Sequence, residues 1–163
     1  MCGKRQQTVC FTGHRQIGVP AAEVERRVAK AAGDLIRKGC RYFGAGGARG
    51  FDALASEVIL KLREQDPRIY MILVLPFDNQ YRHEGNWGTA EIEQYHRLRA
   101  QASKVVLLAP AYHPGLYYQR NRHLVDHSSV CVAYMTRENS GTGCTVGYAR
   151  SKGLQVVNLA AAV

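Results

Sequence analysis

Six short apolar runs, each stopped by a glycine, a proline or a polar loop and separated by segments of helical periodicity, constrain this chain more than any other feature. The runs are Thr8 to Thr12, Arg41 to Phe43, Ile69 to Leu75, Lys104 to Ala109, Ser129 to Tyr134 and Gln155 to Leu159. Between them, Val24, Val28, Ala31 and Leu35 recur at the spacing of one helix face, opened by Pro20 and ended by Gly39. Leu54, Ala55, Val58 and Leu62 repeat the pattern, as do Ile92, Tyr95, Leu98 and Ala102. Shorter helices are expected over Gln119 to Asp126 and Thr145 to Lys152, with Gly153 as a C-cap. Residues 1 to 7 are polar and read as a frayed end, and Asp78 to Gly88 lacks periodicity and reads as a loop.

Apolar strands alternating with helices predict an α/β chain, a Rossmann-like three-layer fold with a mainly parallel central sheet. At 163 residues, with no linker or repeat, the whole chain 1–163 reads as one domain. Right-handed crossovers bring every strand-to-helix loop to one sheet edge, where ligands of such sheets bind. The loops carrying Gly13, Gly46, Pro76 and Gly141 all belong to that edge.

The densest of these loops is Cys40 to Asp52, CRYFGAGGARGFD. Its glycines allow close backbone approach and its helix start offers unpaired N–H groups, the equipment of a phosphate cradle. One such turn serves equally well as a plain αβ connection. The second and third glycine loops, Gly13-His14-Arg15 and Asn139-Ser140-Gly141-Thr142-Gly143, make a cradle the better account. None of these loops is a Walker A element, since no Lys-Ser or Lys-Thr ends it, and Gly44-Ala45-Gly46-Gly47-Ala48-Arg49-Gly50 is only loosely like a dinucleotide fingerprint and follows the second strand rather than the first. Ordinary NAD-dependent redox chemistry is therefore disfavoured.

Arg15, Arg49 and Arg120 are candidate anion clamps because a guanidinium meets phosphate bidentately; each taken alone also suits a surface ion pair. Asp52 near a helix start either complements its N–H groups, bonds a ribose hydroxyl or orients Arg49. His14 suits phosphate donation or acid/base work, with no carboxylate assigned to partner it. Asn121 suits a base or ribose contact, and Ser140 and Thr142 supply hydroxyls to a phosphate. Tyr81 and Trp87 either stack on a base or pack in the core. Tyr112, Tyr117 and Tyr118 either close over a ligand or form a subunit contact. His83 with His96, or His123 with His127, lack a third ligand at metal spacing, so no metal is expected.

The formal charge of +9 favours anionic partners, among them nucleotides and nucleic acid. Five cysteines without a CxxC pair make neither a disulfide scaffold nor a spaced metal site, and Cys10 and Cys131 read as small buried residues. A reducing cytoplasm is the simplest setting. No apolar run approaches the roughly 20 residues of a membrane helix, so no membrane partner is expected.

Taken together, Phe11-Thr12-Gly13-His14-Arg15, Gly46-Gly47-Ala48-Arg49-Gly50-Phe51-Asp52, Pro76-Phe77, Arg120-Asn121 with Val125-Asp126, and Ser140-Gly141-Thr142 resemble the YpsA/YoqJ-like branch of the SLOG superfamily. That superfamily also holds the Smf/DprA DNA-processing proteins and the LOG phosphoribohydrolases. The resemblance implies a homo-oligomer with a pocket for a nucleotide or nucleotide derivative: ADP-ribose, NAD or a nucleoside monophosphate. The implied binding residues are Gly13, His14, Arg15, Gly46, Gly47, Arg49, Asp52, Pro76, Arg120, Asn121, Ser140, Gly141 and Thr142. The LOG hydrolases resemble a PGGxGTxxE pattern whose glutamate serves N-glycosidic cleavage. The matching stretch here, Asn139 to Gly147, has no carboxylate after Thr142. The expectation is thus a nucleotide-binding sensor or regulatory protein; the alternatives are a nucleotide N-glycosidase or phosphoribohydrolase, and a DNA-processing accessory binding single strands.

Overall fold

The β-branched and apolar runs pair into one sheet because buried backbone N–H and C=O groups need partners. In the computed structural model, which describes residues 3–161, the strands are β1 (Thr8–Gly13), β2 (Tyr42–Ala45), β3 (Tyr70–Leu75), β4 (Lys104–Leu107), β5 (Val130–Tyr134) and β6 (Gln155–Asn158). All pair in parallel, in the order β4-β3-β2-β1-β5-β6. Val9 to Gly13 of β1 face Val130 to Tyr134 of β5 in register, while Thr8 to Cys10 face Tyr42 to Gly44 on the other side. Strand order therefore runs one way from β1 to β4 and then reverses, and the reversal lies between β1 and β5.

The helices α1 (Ala21–Arg37), α2 (Phe51–Gln65), α3 (Tyr81–Glu84), α4 (Thr89–Gln101), α5 (Leu116–Asp126) and α6 (Gly141–Ser151) cover both sheet faces. Period-2 alternation along β1 sends Val9 and Phe11 into the core shared with Val24, Val28 and Phe51, from α1 and α2. Cys10 points the other way, to Leu124, Val125, Cys131 and Ala149 under α5 and α6. The result is a Rossmann-like three-layer α/β architecture. Phe43 and Phe51 are almost wholly buried, and removing such a ring from water contributes roughly 1.5–3 kcal/mol.

Several boundaries differ from those expected from the sequence. Residues 4–7 form a 3-10 turn rather than a frayed end; residues 1–2 lie outside the described residues. The segment expected as a loop at Asp78 to Gly88 contains α3, a single turn closed by Gly85 at φ 73°, too short to create a periodic signal. Helix α5 starts at Leu116, directly after Gly115 at φ 85°. Helix α6 starts at Gly141 rather than Thr145, because Ser140 caps it by accepting the Gly143 N–H at 3.0 Å. Glycines in a first turn hide a helix from propensity-based reading. Strand β4 ends at Leu107 and β6 at Asn158, and Leu159 opens a 3-10 turn.

Candidate functional site

The reversal of strand order leaves the loops after β1 and β5 diverging, and a cavity of about 600 Å³ opens between them. The starts of α2, α5 and α6 supply the remaining walls. The β1 loop is held down on the α2 start. Gly50 adopts φ 79°, a Cβ there would lie 2.6 Å from the Arg15 carbonyl carbon, and Phe51 N–H donates to the His14 carbonyl at 3.2 Å. Gly13 is pressed on the Phe51 ring just as closely, a Cβ at this position meeting ring carbon at 2.5 Å.

His14 ties the two diverging loops together. It is buried, and its Nε2 accepts N–H bonds from Thr136 at 2.9 Å and Arg137 at 3.3 Å. An acceptor nitrogen carries no proton, so the ring is neutral with its hydrogen on Nδ1. Burial lowers its pKa, and the Arg137 charge lowers it further. His14 therefore shapes the β5 loop through Nε2, leaving only Nδ1–H to meet a ligand.

Asp52 and Arg120 form the charged floor. Asp52, in the first turn of α2, accepts the Gly46 N–H at 3.2 Å and so folds the glycine turn over itself. Burial raises its carboxyl to about 6, against the opposing pull of Arg120, of the Ala48 and Gly46 N–H groups and of Arg15. Burial likewise lowers the Arg120 pKa while Asp52 works against that change. Arg120 donates through Nη1 to the Gly46 carbonyl and through Nε to Asn121 Oδ1 at 2.7 Å, and its guanidinium lies 5.4 Å from the Tyr117 ring centroid. Gln80, wholly buried, donates to the same Gly46 carbonyl at 3.3 Å.

The rim is cationic. Arg15 is 41% exposed and pairs with Glu84 at 2.8 Å; Glu84 also accepts from Trp87 Nε1 at 3.0 Å and the Tyr117 hydroxyl at 3.3 Å. Burial, together with the Glu84 charge, pushes the Tyr117 hydroxyl up to about 12. Arg49 reaches the Asn86 carbonyl at 3.2 Å and Glu91 at 3.5 Å. Across the cavity, Ser140 spends its hydroxyl on the cap and on the Arg137 carbonyl at 2.7 Å. Gly141 and Thr142, at the first two helical positions of α6, have N–H groups with no intrahelical acceptor.

A model of the YspA SLOG family, YpsA, matches residues 9–154, nearly the whole chain and every element of the cavity. The chain belongs to this SLOG family. A UPF0398 protein of Bacillus pumilus (strain SAFR-032) is 27% identical over 123 residues, covering 74% of this chain and 62% of that protein. This SLOG chain thus spans less than two thirds of that relative's length. The uncharacterized SPbeta prophage-derived protein YoqJ of Bacillus subtilis (strain 168) is 27% identical over 130 residues, 72% of this chain and 74% of YoqJ. Among solved structures, DNA processing protein A from Helicobacter pylori superposes with TM-score 0.63 at 17% identity, over 93% of this chain and 64% of that one. DprA from Streptococcus pneumoniae gives TM-score 0.63 at 16% identity, over 94% and 50%. At those identities the likeness is one of fold.

Within this SLOG fold, Gly13, His14, Arg15, Arg49, Asp52, Arg120, Asn121, Ser140, Gly141 and Thr142 line the same cavity, drawn from the β1 loop, the junction of β2 and α2, helix α5 and the start of α6. Gly46, Gly47 and Pro76 do not. Gly46 sits behind the floor as the acceptor for Arg120 and Gln80, and Gly47, at φ 73°, packs on Leu75 and Gln80. Pro76 is buried with its carbonyl accepting the Ala109 N–H at 3.1 Å. Tyr81 and Trp87 pack with Tyr95 beneath α4 instead of facing the cavity, at ring separations of 5.3–5.9 Å. The site residues expected from the sequence do not include Gln16 or Arg137, which line the cavity, or Glu84, which pairs with Arg15 at its rim. Arg137 lines the cavity from the start of a loop already singled out, whereas Glu84 sits in a turn that leaves no periodic trace.

Proposed function

We propose that the chain binds a nucleotide or nucleotide derivative of the ADP-ribose, NAD or nucleoside monophosphate kind in the cavity between the β1 and β5 loops, acting as a sensor or regulatory module. The observation that carries this is the meeting of Arg15, Arg49 and Arg137 with the unbonded N–H groups of the α6 start across one cavity of about 600 Å³. That volume lies in the roughly 300–1,000 Å³ range of small-molecule sites. Phosphate oxygens take the Gly141 and Thr142 N–H groups and the helix dipole, with Arg137 beside them. Asn121 and His14 Nδ1–H face the sugar or base, and Asp52 acts chiefly by holding Arg120 and the glycine turn in place.

Titration with AMP, ADP-ribose and NAD at protein concentrations of about 100 μM, suited to micromolar affinities, checks this reading. Retention of at least one intact nucleotide, lost on Arg137→Ala, is the expected result. No binding by any of them removes the proposal. Mass analysis of the same mixtures tests the N-glycosidase alternative, for which Asp52, with its carboxyl near 6 in the cavity, is the available acid. Accumulating free base that disappears in Asp52→Asn would make the protein an enzyme.

A second reading, a DNA-processing accessory, is supported by the formal charge of +9 and by the fold shared with the Helicobacter pylori protein, which is described with a single-stranded DNA binding mode. Its mark is a steep fall of oligonucleotide affinity with salt. A short oligonucleotide that fails to bind even at low salt excludes it.

A further inference from the structure

Beyond the cavity lies an aromatic surface that the phosphate and floor residues do not use. Tyr117 and Tyr118 line the cavity mouth, Tyr118 at 57% exposure. The Tyr112 ring centroid lies 6.1 Å from that of Tyr117, outside the cavity. Tyr112 stacks on the exposed His83 ring at 3.8 Å with an interplanar angle of 19°, and still leaves 41% of its own surface in solvent. This is a flat, preformed pair. Phe77, buried at the end of β3, meets His83, Tyr112 and Tyr117 edge-on at 6.0–6.4 Å and so holds all three rings from below. Two rings stacked face to face on a buried aromatic anchor leave much of Tyr112 in solvent without adding to the core, a surface suited to a flat cover.

The surroundings specify what that cover is. The pair adjoins the cavity without a break through Tyr117, and half-exposed Arg15 stands at the same rim, where a linking phosphate between cavity and platform would pass. A π face next to a phosphate-binding cation, continuous with a nucleotide-sized cavity, matches a second nucleobase. We propose that the Tyr112–His83 pair is a stacking subsite for the second base of a ligand whose first nucleotide occupies the cavity, the two joined through phosphate. This rests on the nucleotide reading above and adds the ligand class: a two-base nucleotide, joined either 3′–5′ as in a strand or 5′–5′ through pyrophosphate as in a dinucleotide cofactor.

Direct titration of the full chain with AMP, 5′-phosphorylated diadenylate and diadenosine diphosphate decides it. The expected result is that one two-base ligand binds about tenfold more tightly than AMP, or better, since a stacked base contributes on that order. The linkage that shows the gain identifies the source. Tyr112→Ala should abolish the gain while leaving AMP affinity unchanged, and Tyr112→Phe, which keeps the ring, should preserve it. If AMP binds and both two-base ligands bind no better, the subsite is refuted and the cavity reading stands. A gain that survives Tyr112→Ala refutes the placement. Failure of all three ligands to bind removes the subsite, and the cavity reading falls with it when ADP-ribose and NAD also fail to bind.

Discussion

Asp52 is where burial and charge oppose each other most directly. Its carboxyl rises from an ordinary value near 3.8 to about 6, so the folded chain holds this proton more tightly than the unfolded chain does. Ionising Asp52 therefore costs folding stability; the cost is absent below about pH 4, grows to about pH 6 and is complete above it. For a buried group that change corresponds to about 3 kcal/mol. Asparagine mimics the neutral acid. Comparing urea unfolding of the wild type with Asp52→Asn, the difference should move by about 2 kcal/mol between pH 4 and pH 7, with the wild type relatively more stable at the acid end. A difference that stays flat across that window would show that Asp52 is solvated. His14 works with the opposite sign. Its pKa is lowered, so its contribution is complete above 6.5 and is lost as acid protonates the acceptor of the Thr136 and Arg137 N–H groups. Measuring the difference between wild type and Asp52→Asn cancels this His14 contribution. The residue types are readable in the sequence, which offers Asp52 a helix end, a ribose hydroxyl or the orientation of Arg49; its bond to Gly46 spans only six residues, whereas the Arg120 charge that acts on it comes from far along the chain, which no local pattern encodes.

At the scale of elements, the β5 loop and the start of α6 form one rigid turn. Ser140 closes it by caps in both directions, and Gly143 lets the first helical turn settle against the Glu138 backbone, where a Cβ would lie 2.6 Å from the Glu138 carbonyl carbon. Gly143→Ala must displace either the loop or the helix start. A loss of about 1–3 kcal/mol is expected, as for other overpacked sites, with a fall in nucleotide affinity larger than in a surface control such as Gly147→Ala, whose added Cβ meets nothing within 4 Å. Unchanged affinity in Gly143→Ala would separate this turn from the ligand site. The element also explains a misread boundary. Gly141 and Gly143 are poor helix formers, so the first turn of α6 reads as loop in the sequence. Helix α3 escaped for a different reason, its single turn being shorter than one hydrophobic repeat, and Glu84 escaped with it.

For the molecule as a whole, the sheet order brings the cationic rim and the α6 N–H groups to one place, so ligand binding should stabilise the entire fold. A nucleotide at about 100 times its dissociation constant adds about 2.7 kcal/mol, which for a chain of this length raises the melting temperature by about 5–10 °C. A thermal shift of that size with AMP or ADP-ribose, diminished in Arg137→Ala, is the expected outcome. A shift equalled by inorganic phosphate alone would point to an anion site without nucleotide recognition. Raising the salt concentration should weaken a strand far more than a mononucleotide, because a strand releases a counterion at each phosphate contacted.

Three features are legible along the chain alone: the alternation of strand and helix, the gathering of glycine loops at one sheet edge, and the cationic and hydroxyl side chains beside those loops. These are local properties, set by the periodicity of apolar side chains and by the backbone freedom of glycine, and they survive in a one-dimensional reading. The reversal of strand order between β1 and β5 emerges only when the chain folds, because parallel pairing is non-local and several orders satisfy the same alternation. That one choice opens the cavity beside Gly13 and Gly141, with Gly46 and Pro76 outside its lining.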